Sequence, residues 1–141
     1  MSGIKRFFDP GRDGMARDLG LLVLRLGLGF SLVYAHGYGK FQGMLGGGGA
    51  NFPDPIGLGG PLSLALAAFA EFICAIAISV GFMTRLASIP VVILFAVAFF
   101  VVHGGDPFPD KEKAFLFLVG YLAVLFTGPG RYSLDEKLRR K

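Results

Sequence analysis

The sequence predicts an all-α integral membrane protein, a four-helix transmembrane bundle with both termini in the cytoplasm. Of its 141 residues, 53% are hydrophobic and 17% are charged, and the mean hydropathy is +0.61. A soluble domain carries about a quarter charged residues, so this composition is typical of a membrane protein. The apolar residues form four blocks, at about 19–38, 61–83, 85–103 and 111–127.

The lengths of these blocks determine which of them can cross a bilayer. A helix rises about 1.5 Å per residue and needs roughly 20 residues to cross a hydrocarbon core of about 30 Å. The first three blocks reach that length. The fourth, at about 17 residues, would span only where the bilayer thins or where neighbours bury its polar ends. The short 81–85 connection predicts an antiparallel hairpin of spans two and three, and Gly128, Pro129 and Gly130 end span four.

The distribution of basic residues predicts the orientation. Four spans place both termini on one side, which then carries ten Lys and Arg, against three on the other side, with Arg25 counted inside the membrane. The positive-inside rule assigns the richer side to the cytoplasm. The net charge of +4 is explained by this topology and by contact with anionic lipid. Because basic residues are not interleaved with exposed aromatic ones, we expect no nucleic-acid partner.

We divide the chain into a cytoplasmic N-terminal arm at 1–18, the bundle at 19–130 and a cytoplasmic basic tail at 131–141. No cleavable signal peptide is expected in the arm, where Ile4, Phe7 and Phe8 would touch the lipid surface. The glycine-rich 39–60 segment is predicted to be a long loop packed on the outer mouth of the bundle. Asp110 and Ser133 are predicted to cap the fourth span and a short helix in the tail.

Two charged residues lie inside apolar blocks, Arg25 in the first and Glu71 in the second. A charge at bilayer depth costs about 3 to more than 10 kcal/mol, so each is expected to face the protein interior and find a partner. Helical spacing places Arg25, His36 and Lys40 on one stripe, and depth allows the guanidinium to reach Glu71. Two interpretations stay open: an ion pair that fixes helix register, or a cavity lining for a polar headgroup or protons.

Further polar residues lie at the outer ends of the spans. His103 and Glu112 fall there together with His36 and Lys40, but their spacing matches no metal motif, so no metal site is predicted. We expect them to line the outer mouth or to hydrogen-bond lipid headgroups and loop carbonyls. No catalytic residue is assigned. The candidate polar cavity comprises Arg25, His36, Lys40, Glu71, His103 and Glu112.

Two other residue types limit the chemistry. Cys74 is the single cysteine, so the chain has no internal dithiol, and we interpret Cys74 as a packing residue. Tryptophan is absent. Interfacial anchoring therefore falls to the many phenylalanines and to the tyrosines, namely Tyr34, Tyr38, Tyr121 and Tyr132.

The order of these polar residues and turns resembles the DoxX family of small four-span bacterial membrane proteins. Relatives in that family include the membrane subunit of a thiosulfate:quinone oxidoreductase, and others are linked to thiol redox and oxidative-stress complexes. The resemblance implies a bacterial inner-membrane location. It rests on Arg25, on His36 and Gly37 with Lys40, on Glu71, on the 81–85 turn, on Glu112 with Lys113 and Ala114, on 128–130, and on Ser133 with Leu134 and Asp135.

The resemblance implies two functional hypotheses of different classes, and whether the chain is an enzyme stays open. The first is a redox-associated membrane subunit that has no cofactor of its own, binds a quinone at a polar bundle face and takes electrons from a partner protein. The second is a non-catalytic accessory subunit that docks or stabilises a larger membrane complex. A carrier of small solutes or protons is a third hypothesis. Membrane lipid and a protein partner are expected contacts, and homo-oligomerisation stays open.

Overall fold

The computed structural model describes Gly3 and residues 14–141, and the latter form five helices without a strand among them. Residues 4–13 of the predicted arm, with Ile4, Phe7 and Phe8, lie outside the described residues. The part of the arm that is described, 14–18, already belongs to the first helix. The helices are α1 (Gly14–Leu45), α2 (Gly60–Val80), α3 (Thr84–Val102), α4 (Phe108–Thr127) and α5 (Leu134–Arg139).

Three of these helices, α1, α2 and α3, are long and apolar enough to cross a membrane. The predicted all-helical membrane architecture is therefore confirmed for three spans. Helix α4 has 20 residues, but its first turns carry four consecutive charges at 110–113. It still packs along α3 and completes the core with four buried residues, Ala114, Leu118, Tyr121 and Val124.

The predicted inward stripe of α2 is confirmed by its burial. The small residues on this stripe let α1 and α3 approach α2 closely, as helix packing in lipid requires. On α1, Arg25, Gly29 and Leu32 are buried, while His36 and Lys40 are half-buried. The buried stripe of α2 consists of Leu64, Ala67, Ala68, Glu71, Cys74, Ala75 and Ile78.

Each of the three apolar helices contains a π-helical turn, which the sequence analysis did not predict. These turns cover Val33–Gly37 in α1, Phe69–Cys74 in α2 and Ala98–Val102 in α3. A π turn inserts one residue into the helical repeat, and such turns are frequent at functional sites. Here the first two carry His36 and Glu71, so the local widening occurs where the polar side chains of the core lie.

Helix α1 continues to Leu45, seven residues beyond the predicted end of the first block at Tyr38. Phe41 explains the extension, because its ring stacks on Phe72 of α2 with centroids 4.5 Å apart. The connecting loop is correspondingly shorter, at 46–59. The Asp54 carboxylate organises it, accepting hydrogen bonds from the Leu58 and Gly59 amides and from the Ser63 hydroxyl.

The helix ends agree with the predicted turn chemistry in all but one case. Helix α4 ends at Thr127, and Gly128 follows with φ of 80°. The Ser133 hydroxyl accepts a hydrogen bond from the Glu136 amide, which confirms the predicted cap of α5. The prediction for Asp110 was wrong: it lies in the first turn of α4, after Pro107, and its side chain caps no amide there.

Candidate functional site

A buried ion pair joins α1 and α2 in the half of the bundle away from the 81–85 turn. The Lys40 ammonium pairs with the Glu71 carboxylate, and the Glu71 side chain is only 4% exposed, against 27% for Lys40. The carboxylate thus belongs to the core, whereas the ammonium is accessible from outside. A charge that is nearly removed from solvent needs such a partner, because an unpaired ion there costs several kcal/mol, about 3 or more.

The two helix backbones are in close contact beside this pair. A Cβ added to Gly37 would lie 2.2 Å from the Glu71 carbonyl oxygen and 2.9 Å from the Phe72 nitrogen. Only glycine can occupy position 37 without moving one of the helices apart. The π turns of α1 and α2 therefore meet at this contact, which fixes Glu71 opposite the Lys40 side of α1.

His36 connects the ion pair to the α1–α4 side of the bundle. Its half-buried ring meets Phe117 edge-on, with centroids 6.2 Å apart. Glu71, Lys40 and Lys113 all lie within electrostatic range of the imidazole. One carboxylate, one imidazole and two ammonium groups are thus near one another in an otherwise apolar bundle, away from the 81–85 turn. Such a set can donate hydrogen bonds to a polar headgroup and exchange protons with it.

Tyr121 is a core residue that the sequence analysis placed wrongly, as an interfacial anchor. Its side chain is fully buried, and its hydroxyl has no hydrogen-bond partner among the described residues. Glu71 lies within electrostatic range of that hydroxyl, and the Tyr121 ring stacks against Phe117 at 6.4 Å. The spacing from Ala114 and Leu118 places Tyr121 on the buried face of α4 and was a signal for this position.

Arg25 does not pair with Glu71, so the proposed ion pair between them was wrong. Its guanidinium is fully buried and donates to the carbonyl oxygens of Ile78 at 3.3 Å, Ser79 at 3.0 Å and Tyr132 at 2.5 Å. In the antiparallel α1–α2 pair, Arg25 lies beside Ser79 of α2. Ser79 is eight residues after Glu71, which is about 12 Å along the helix axis. Arg25 therefore satisfies the last carbonyls of α2.

The end of the bundle beside the 81–85 turn is a hydrogen-bonded network around Arg25. Gly81 (φ 76°) packs directly against Arg25 and Ser133. A Cβ added to Gly81 would be 2.7 Å from the Arg25 Nη1 atom and 2.4 Å from the Ser133 Cβ. The Asp135 amide donates to the Gly81 carbonyl oxygen at 2.8 Å. The 131–141 segment is thereby attached to the bundle, and Arg25 serves structure there instead of lining the polar cluster.

His103 and Glu112 are also separate from the polar cluster. The His103 ring pairs with Asp106 three residues later, at 2.8 Å between Nδ1 and Oδ2. Glu112 is exposed and forms no hydrogen bond with the described residues. The structure thus unites three of the six candidate residues, His36, Lys40 and Glu71. Within residues 14–141, no group of three or more His, Cys, Asp or Glu side chains could hold a metal ion.

Two open clefts run along α1. The cleft facing α4 has a volume of about 350 Å³. The groove facing α2 is larger, about 530 Å³, and is lined by the stacked Phe30 and Tyr34 rings and by Tyr38. The α4 cleft is lined by Gly27, Leu28, Ser31, Lys113, Leu116 and Phe117.

Comparison with known proteins identifies the family. The DoxX family model matches residues 20–104, which contain α1, α2 and α3 except for the first turns of α1. The chain is also 29% identical over 130 residues to the inner membrane protein YqjF of Escherichia coli strain K12, covering 88% of this chain and 95% of that protein. No solved structure matches the chain. Because the family model covers more than half of the sequence, the chain belongs to the DoxX family.

Proposed function

We propose that the protein crosses a bacterial inner membrane four times, with both termini in the cytoplasm. The similarity to an inner membrane protein supports the location, and the excess of basic residues near the termini supports the orientation. The packing of α4 on α3 supports a fourth crossing. Its charged first turns would then reach the outer interface, where Lys111 and Lys113 can extend to the headgroups.

We further propose that the cluster of His36, Lys40 and Glu71 binds the headgroup of a membrane-dissolved quinone. The observation that carries the proposal is the Glu71 carboxylate, buried in an apolar bundle and paired with an ammonium that is accessible from outside. Intramembrane ionisable residues of this kind mark ligand or proton pathways by default. A quinone suits the cluster because its carbonyl oxygens accept hydrogen bonds and its ring and tail are apolar.

In this proposal the chain supplies binding and protons. Reduction of a quinone to a quinol takes two electrons and two protons. Lys40 donates a hydrogen bond to one carbonyl oxygen, and His36 and Glu71 relay protons to the reduced ring. The two electrons come from a partner protein that carries a redox centre.

Equilibrium binding tests the proposal. Purified protein in lipid nanodiscs is titrated with radiolabelled decylubiquinone, and the wild type is expected to bind it saturably. Lys40→Met and Glu71→Gln are each expected to raise the dissociation constant at least tenfold. Lys111→Gln is the matched control, because Lys111 contacts only the Gly104 carbonyl and the Phe99 ring among described residues. An absence of saturable binding to the wild type would contradict the proposal.

A second candidate function is that of a non-catalytic accessory subunit. The specific observation in its favour is the aromatic groove between α1 and α2, where Phe30 and Tyr34 are 69% and 77% exposed. A transmembrane helix of a larger complex could pack there. Gentle solubilisation followed by native mass spectrometry tests this function: a stoichiometric partner, lost in Tyr34→Ala, supports it, and a lone monomer contradicts it.

A further inference from the structure

We propose that the quinone binds in the cleft between α1 and α4, which is open to the lipid, and that Phe117 forms the surface on which its ring lies. This inference rests on the proposed function and specifies where the ligand binds. It concerns the opposite side of α1 from the aromatic groove. It also assigns roles to Gly27, Ser31 and Lys113, which the sequence analysis did not include among the candidate residues.

The shape and chemistry of the cleft fit a flat, weakly polar molecule. Its volume of about 350 Å³ is within the range of small-molecule sites, roughly 300 to 1,000 Å³. The lining residues are apolar apart from Ser31 and Lys113. Gly27, Ser31 and Leu116 are exposed on outward helix faces, so a ligand can enter from the lipid without passing through water.

Phe117 separates this cleft from the polar cluster. Its half-buried ring stacks on Phe95 with centroids 5.0 Å apart and meets His36 edge-on at 6.2 Å. Lys113, which also lines the cleft, lies within electrostatic range of His36. A ring in the cleft is therefore one aromatic side chain away from the imidazole, and His36 is in turn within electrostatic range of Glu71.

The donors in the cleft favour a quinone over a phospholipid. A quinone ring stacks on an aromatic side chain and presents two carbonyl oxygens. In the proposed function one of them accepts from Lys40, and Ser31 and Lys113, which line the cleft, are the available donors for the other. A phospholipid has no flat ring that could stack on Phe117, and its anionic phosphate would form an ion pair with Lys113 alone. Ser31 and Lys113 thus add to Lys40 as the polar groups that recognise the ring, with the apolar tail directed into the bilayer.

The chain offers a variant that fills the cleft. A Cβ added at Gly27 meets no heavy atom within 4 Å, and Gly27 lines the cleft, so we expect the Gly27→Leu side chain to occupy the open space of the cleft. The control is Gly20→Leu, two turns earlier on almost the same face of α1, where an added Cβ also meets nothing within 4 Å. Both changes replace glycine in a helix and should leave the fold intact.

Binding of radiolabelled decylubiquinone in nanodiscs is measured for both variants, with thermal unfolding as the check on folding. We expect Gly27→Leu to raise the dissociation constant at least tenfold and Gly20→Leu to change it less than twofold. Lys113→Gln is expected to raise it three- to tenfold. If the wild type and Gly27→Leu bind equally well, the cleft is not the site, although the proposed function stands. If the wild type does not bind, both proposals fail.

Native mass spectrometry of the same samples adds an independent readout. The wild type is expected to retain decylubiquinone, and Gly27→Leu is expected to release it. Retention of a phospholipid by the wild type that Gly27→Leu and Lys113→Gln both abolish, with decylubiquinone unaffected, would overturn the inference and assign the cleft to lipid.

Discussion

Asp135 caps helix α3 through Thr84, a residue 51 positions earlier in the chain. Its Oδ2 atom accepts hydrogen bonds from the Thr84 amide at 2.9 Å and from the Thr84 hydroxyl at 2.8 Å. Its Oδ1 atom accepts a third from the Met83 amide at 2.7 Å. Met83 has φ of 46°, a left-handed conformation that a non-glycine residue adopts only where its surroundings impose it. The start of α5 therefore determines how α3 begins.

Removal of this cap is expected to destabilise the bundle. Asp135→Ala leaves the Met83 and Thr84 amides without their acceptor and should lower the free energy of unfolding by about 1–2 kcal/mol. The single cysteine, Cys74, is buried, so labelling by a thiol-reactive maleimide dye during heating reports unfolding. Asp110→Ala is the matched control, since Asp110 caps no helix end. Equal melting temperatures for the two variants would contradict the role of Asp135.

Arg25 is expected to matter for stability and not for ligand binding. Arg25→Met leaves the carbonyl oxygens of Ser79 and Tyr132 without a donor, while the Ile78 carbonyl oxygen keeps only the Gly81 amide, and the change should cost about 3 kcal/mol or more. Arg25→Lys should rescue only part of this, because an ammonium lacks the planar fork that reaches three acceptors. The maleimide assay measures both, with the exposed Arg17→Gln as control. A stable Arg25→Met variant that loses decylubiquinone binding would contradict this assignment.

Gly37 is expected to tolerate no side chain. Gly37→Ala forces α1 away from the Glu71 backbone, and overpacking of this kind costs typically 1–3 kcal/mol. Gly39→Ala, two residues later in the same helix, meets nothing within 4 Å and should be neutral or stabilising by up to about 1 kcal/mol. Thermal unfolding of the pair checks the prediction. A melting temperature of Gly37→Ala at or above that of Gly39→Ala would show that the helices do not meet there.

The 46–59 loop is expected to loosen in acid. Hydrogen bonds, chiefly from the Gly59 amide and then from the Ser63 hydroxyl and the Leu58 amide, hold the pKa of the Asp54 carboxyl below its ordinary value. Because the pKa of Asp54 is lower in the folded protein, its carboxylate stabilises the loop fully at any pH above the unfolded pKa of about 3.9. This stabilisation is lost as pH falls below that value through the folded pKa.

Hydrogen exchange of the Leu58 and Gly59 amides measures this effect, after correction for the intrinsic pH dependence of exchange. Protection factors should fall below about pH 4 in the wild type. In Asp54→Asn they should be lower at neutral pH and nearly independent of pH. A wild-type loop whose protection is unchanged from pH 6 to pH 3 would contradict the role of the carboxylate.

Hydropathy and helical spacing predicted much of the fold, because a bilayer sets the minimum length of a spanning helix and requires its polar side chains to face the protein interior. The inward stripe through Glu71 in α2 was predicted correctly, and so were the 81–85 hairpin turn and the Ser133 cap. These features depend on local spacing or on one turn. The helical conformation of α1 from Gly39 to Leu45 depends on the long-range packing of Phe41 on Phe72. The glycines in this segment favoured the prediction of a loop instead.

The partners of the buried charges could not be predicted in the same way. The membrane depths predicted from helix rise allowed Arg25 to reach Glu71. The antiparallel register instead places Arg25 beside Ser79 and Lys40 beside Glu71. That register is set by close contacts of Gly29 and Gly37 with α2, and by π turns that shift the helical repeat. Tyr121 was missed for a related reason: a tyrosine in a membrane helix suits both the interface and a buried polar cluster, and only packing decides between them.

The central claim is that a quinone binds in the α1–α4 cleft beside the polar cluster, and photoaffinity labelling tests it most directly. An azidoquinone is photolysed with the protein in nanodiscs, and the labelled peptides are identified by mass spectrometry with and without excess decylubiquinone. We predict competed labelling within 27–40 of α1 and 113–121 of α4, strongly reduced in Gly27→Leu and retained in Gly20→Leu. Competed labelling confined to the α1–α2 groove, or labelling that decylubiquinone does not reduce, would contradict the claim.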